Sequence, residues 1–93
     1  MKNVKNIKQT VNALLSTYLL NRDLEKNIIK TCAEKLFALV YCNPETFGIV
    51  MKEDDMSDFL TFLYPNTFQN IFEKYDENRS NFFTFVCACL KYQ

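Results

Sequence analysis

The 93 residues include no histidine and no tryptophan, a single glycine and two prolines. Without histidine the chain lacks the commonest general base and the commonest metal ligand. It has no glycine-rich phosphate loop and no nucleophile paired with a base, so the reading is a non-catalytic protein with no cofactor. The scarcity of Gly and Pro argues against a β-sandwich, which needs many tight turns, and favours long helices. Zinc-type C-x2-C spacing is also missing. Of Cys32, Cys42, Cys87 and Cys89, the last pair would point about 200° apart on a helix and could not hold one ion together. All four are expected to be reduced and mostly core, behaving as small apolar residues. Met1–Thr10 is too polar for the apolar region of a signal peptide, and no apolar run reaches the length of a membrane span. These two absences point to a cytoplasmic protein that does not enter a membrane.

Net charge is zero as well. A free-standing nucleic-acid binder is usually clearly basic, because phosphate neutralisation drives most of its affinity. This chain alone is therefore expected to show no specific DNA binding. The charge is unevenly spread: residues 1–35 carry seven Lys/Arg against three acids, and residues 36–93 carry four against eight. The two halves read as solvated helical faces that attract each other.

What is present is apolar and aromatic. The hydrophobic fraction is 48%, with nine Phe and five Tyr, enough for one core in one domain spanning residues 1–93. The periodicity predicts an all-α bundle of four helices, or five if Pro65 splits the third. Ile7, Val11, Leu14, Leu15, Tyr18 and Leu19 form a 3.6-residue stripe over Val4–Leu20, with Lys2, Lys5 and Lys8 off it. Asn21 reads as a break and N-cap. A second helix is expected over Arg22–Tyr41 with the stripe Leu24, Ile28, Ile29, Cys32, Leu36, Phe37, Leu39 and Val40, folded back on the first. Cys42-Asn43-Pro44 ends it, Asn43 capping a short turn that Pro44 opens. Gly48 breaks that turn, and Phe47, Ile49 and Val50 are expected to fold inward. Glu53-Asp54-Asp55 opens a third helix, with Asp54 or Asp55 as cap and the acids favouring a helix N-terminus. It continues to about Lys74 with a wide apolar face that includes Phe59, Phe62, Phe68 and Phe72, and a kink or break at Pro65. Its polar side holds Asp58, Thr61, Asn66, Gln69, Asn70 and Glu73, at three- and four-residue spacing.

The stretch Tyr75–Lys91 is the most distinctive. Tyr75-Asp76 closes one helical run, a polar turn follows, and a second run opens Phe82-Phe83-Thr84-Phe85-Val86. Ser80 reads as its N-cap, and the helix is expected from Asn81 to about Tyr92. Phe82, Phe85, Val86, Cys89 and Leu90 fall on one face, and Phe83 falls off it. The stretch resembles region 2 of bacterial sigma factors of the sigma-70 class, especially the extracytoplasmic-function type. There a helix ends in Phe-Asp, a turn of about five residues follows, and the next helix opens F-x-T-Y-L with Arg seven positions after the Thr. Phe85 replaces that Tyr and Lys91 that Arg. Glu77 and Ser80 stand where Pro and Gly are usual. The Asp-Leu-x-Gln-Glu start of the family's preceding helix is missing.

The resemblance implies a transcription protein acting through RNA polymerase core, or the N-terminal part of a longer sigma-like protein. The family's promoter-melting segment lies at and beyond the end of this stretch. In the family the helix before the hairpin docks on the polymerase clamp coiled coil. That role would fall here to Asp58, Thr61, Asn66, Gln69, Asn70 and Glu73. The competing reading from the residues alone is a small helical interaction or oligomerisation module unrelated to transcription.

Overall fold

The computed structural model describes residues 4–64 and 66–91. The expectations placed on Lys2, Pro65 and Tyr92 lie outside the described residues. Within them the protein is all-α: α1 (Val4–Asn21), α2 (Ile28–Cys42), a 3-10 turn (Pro44–Phe47), α3 (Glu53–Leu63), α4 (Asn66–Lys74) and α5 (Phe82–Lys91). The five-helix option is the one observed.

The core is a continuous set of apolar side chains from every helix, and among the described residues no polar or charged side chain is buried. α1 contributes Ile7, Val11, Leu14 and Tyr18, and α2 contributes Ile28, Cys32, Ala33, Leu36 and Val40. These sets recur every three or four residues, so each helix turns one face inward. Leu19, placed in the stripe by its spacing, is 45% exposed at the end of α1. The thiol of Cys32 lies 3.7 Å from the Leu14 carbonyl oxygen, across the α1–α2 contact.

α2 starts at Ile28, six residues later than its periodicity suggested. Residues 22–27 form turns instead, with the amides of Leu24 and Glu25 both donating to the Asn21 carbonyl at 2.9 and 2.8 Å. Asn21 does not cap α2. It belongs to α1, and its Nδ2 donates back to the Thr17 carbonyl at 2.8 Å. Leu24 is consequently exposed. Beyond α2, Asn43 occupies the N-cap position of the 3-10 turn that Pro44 opens, but it makes no side-chain cap bond there, and its Nδ2 donates to the Leu39 carbonyl at 3.0 Å. Gly48 closes that turn at φ +79°, a left-handed conformation that a side chain disfavours. Phe47 and Ile49 fold inward as expected, but Val50 is 92% exposed.

α3 has no side-chain cap. Lys52 occupies the N-cap position in extended geometry, and Glu53, Asp54 and Asp55 fill the first turn, where their charge favours the helix dipole. Helical geometry stops at Tyr64, with φ −82° and ψ 141°. A residue preceding proline is pushed out of the α region, and Tyr64 precedes Pro65. Once α3 and α4 are separate, each needs only a narrow apolar face. α3 buries Met56, Leu60 and Leu63, and α4 buries Phe68, Ile71 and Phe72. Phe62, about 200° around the helix from Leu60, is left 86% exposed, contrary to the wide face expected of a continuous helix.

The cap of α5 is Asn81, whose Oδ1 accepts the Thr84 amide at 2.8 Å. Ser80 is not the cap; its carbonyl accepts the Tyr75 hydroxyl at 2.7 Å. Phe82, Val86 and Leu90 are buried, while Phe85 and Cys89 are half-buried at the edge of the face. Phe83, off the stripe, packs on Phe47 with ring centroids 5.3 Å apart. The Lys8 ammonium of α1 sits 5.2 Å from the centre of the same ring.

Candidate partner-binding surface on α3 and α4

Among the described residues no charged side chain is buried, so charged recognition groups lie at the surface. The six polar residues singled out by spacing divide between two helices. Asp58 and Thr61 lie on α3; Asn66, Gln69, Asn70 and Glu73 lie on α4. All are exposed except Gln69, which is half-buried. On α4 the four fall at i, i+3, i+4 and i+7, one outward face opposite Phe68, Ile71 and Phe72. The single continuous stripe expected of one long helix is therefore interrupted at Tyr64, where the backbone is extended.

α4 packs chiefly on α2, and α5 closes its other side. Between α4 and α5 runs an open cleft of about 270 Å³ lined by Thr67, Asn70, Ile71, Lys74, Phe85 and Cys89. Asn70 thus belongs both to the α4 outer face and to the rim of this cleft. α4 ends with Lys74, a cation that suits a helix C-terminus.

The turn between α4 and α5 is held locally. The Asn78 amide donates to Asp76 Oδ1 at 2.9 Å, and the Arg79 amide donates to the Asp76 carbonyl at 3.1 Å. Asp76 therefore organises the turn by the short-range bonding for which Asp is favoured there. Tyr75 bridges the hairpin: its ring meets Phe82 at 5.1 Å and Phe85 at 5.6 Å. Its hydroxyl reaches Ser80.

Cys32 is buried, Cys87 and Cys89 are half-buried, and Cys42 is exposed, which corrects its expected place near the core. Burial raises the Cys32, Cys87 and Cys89 thiols above their ordinary range, partly offset at Cys32 by Lys35 and at Cys87 by Lys8. These environments disfavour the thiolate, which is the reactive form. Among the described residues no three His, Cys, Asp or Glu side chains gather as a metal-binding group, and no helix is long and apolar enough to cross a membrane.

The residue whose place the spacing misjudges is Phe62, counted with the apolar face but 86% exposed. It lies one turn from Asp58 and two turns from Asp55 on the outer face of α3. The available signal was Pro65: a helix cut before it leaves Phe62 no second apolar face to join. No family model, curated protein or solved structure matches the chain.

Proposed function

We propose that the chain is a sigma-factor-like transcription protein that works in the cytoplasm by binding RNA polymerase, without catalysis of its own. The observation that carries this reading is the α4–α5 hairpin. Tyr75-Asp76 directly follows the end of α4 at Lys74, both residues brace the turn, and Phe82-Phe83-Thr84-Phe85-Val86 opens the next helix, with Lys91 exposed one turn past Cys87. Those are the positions that resemble sigma region 2. The contact surface in this reading is the outward side of α3 and α4, formed by Asp58, Thr61, Asn66, Gln69, Asn70 and Glu73. Its acids, Asp58 and Glu73, complement an arginine-rich coiled coil, and exposed charges of this kind chiefly speed association and set specificity.

The test is co-purification of RNA polymerase from the source cell by tagged protein. Asp58→Lys combined with Glu73→Lys is expected to weaken capture while circular dichroism stays unchanged, since both side chains are exposed. Equal capture by wild type and variant would place the interface elsewhere. No capture by the wild type, with the tag moved to either end, would favour a helical interaction module unrelated to transcription.

A further inference from the structure

Phe62 is 86% exposed on the outer side of α3, the most acidic helix of the chain. α3 carries Glu53, Asp54, Asp55 and Asp58 and no base. Asp58 and Asp55 precede Phe62 by four and seven residues, so the three share one side of the helix. α1 and α2 have the opposite balance, four Lys against one Glu. Along the seam of these two helices runs an open groove of about 370 Å³, to which Leu14, Ala38 and Leu39 give mainly apolar walls. Lys35 is the one charged side chain in that lining among the described residues. The groove opens away from α3. Phe37 marks the flank of α2 that meets Tyr64, directly after α3, and Phe68 of α4, with ring centroids 5.1 and 5.6 Å apart. Lys35 and Leu39, two residues before and after Phe37, stand about 200° around the helix from it. Phe62 and the groove therefore lie on different sides of the molecule.

We propose that the groove takes Phe62 of a second copy of this chain, so that copies associate head to tail. The phenyl ring fills the apolar seam, and Asp58 comes to face Lys35. The remaining acids of α3 lie over α1 and α2, where bases outnumber acids, so the charges of the two surfaces are complementary. Other exposed apolar side chains lack that match. Val50 is followed closely by Lys52, and the turn that bears Leu24 balances Arg22 and Lys26 against Asp23 and Glu25. Zero net charge removes the long-range repulsion that keeps copies of a charged protein apart. Because ring and groove lie on different sides, each copy can give its ring to one neighbour and its groove to another, a heterologous contact that repeats. The inference does not rest on the polymerase reading. Asp58 is common to both, but Phe62, Lys35 and Ala38 are outside the polymerase surface, and the test uses only purified chain.

Sedimentation velocity of the full chain over a range of concentrations at low salt reads the association. The average mass is expected to rise above that of the monomer and to fall back as salt screens the charges. Phe62→Ser, which keeps the groove, should weaken association by about tenfold, as loss of an aromatic anchor does. Ala38→Glu, which keeps Phe62, sets a carboxylate in the groove where Asp58 must approach, and should weaken it comparably. Ala38 and Phe62 are both exposed, so unchanged thermal melts certify the fold. An equimolar mixture of the two variants should regain association, because Phe62 of one meets the intact groove of the other, and should stop at two chains. A wild-type chain that stays monomeric to its solubility limit would leave the groove to a different partner and overturn the proposal. Full association by Phe62→Ser, or a mixture no more associated than its parts, would overturn it too.

Discussion

Two phenylalanines one turn apart on α5 differ in what surrounds them. Phe82 is 2% exposed and meets both Phe72 and Tyr75, with ring centroids 5.3 and 5.1 Å away. Phe85 lines the open α4–α5 cleft, and its one ring partner among the described residues is Tyr75. Spacing alone put both in the core, because it cannot tell the centre of a helical face from its edge. Truncating Phe82 should leave a cavity costing about 3–5 kcal/mol. Truncating Phe85, half in solvent already, should cost roughly 1–2 kcal/mol. Urea midpoints of Phe82→Ala and Phe85→Ala measure the difference. Equal losses would show that the cleft closes over Phe85 in solution.

Helix ends carry a comparable distinction. Asn81 satisfies the Thr84 amide at the start of α5, whereas Ser80 serves through its backbone carbonyl. Asn81→Ala is therefore expected to destabilise by about 1 kcal/mol, the usual loss of a side-chain cap. Ser80→Ala should stay within about 0.5 kcal/mol, since it keeps the carbonyl that Tyr75 uses. Chemical denaturation of the two variants checks the assignment, and the reverse order would restore Ser80 as the cap. Both residues are competent caps by type, so the choice between them needed the backbone. The same holds elsewhere along the chain. The helical stripes of α1, α2, α4 and α5 could be read from period, because burial of one face is what generates the period. The start of α2 could not, since Leu24 continues the apolar spacing into a segment where Asn21 bonds back to its own helix. On the polar surface, the spacing did find the outward face of α4. It erred in extending that face through Tyr64 as one stripe, and it counted the exposed Phe62 with the core face.

Taken whole, the molecule sets a basic first third against an acidic remainder with no net charge. Lys5, Lys8, Lys26, Lys30 and Lys35 are all exposed, but so are Glu53, Asp54, Asp55 and Asp58. Duplex DNA should therefore bind only weakly and lose that binding as salt rises. Fluorescence anisotropy with duplexes of different sequence tests this. A sequence-selective Kd approaching the ~10⁻⁸–10⁻¹¹ M of specific binders at physiological salt would contradict it.

The contact of α1 with α5, marked by Lys8 over Phe83, has a further result during synthesis. The chain's first helix is covered in part by its last described one. At the ribosome's pace, the interval between making Asn21 and reaching Phe82 is on the order of several seconds. For that time the stripe of Ile7, Val11, Leu14 and Tyr18 can find α2, and Tyr18 can find Phe72 of α4, but not α5. A half-wrapped apolar helix of this kind is what a nascent-chain chaperone recognises, and translation paused anywhere before α5 would prolong its exposure to proteases.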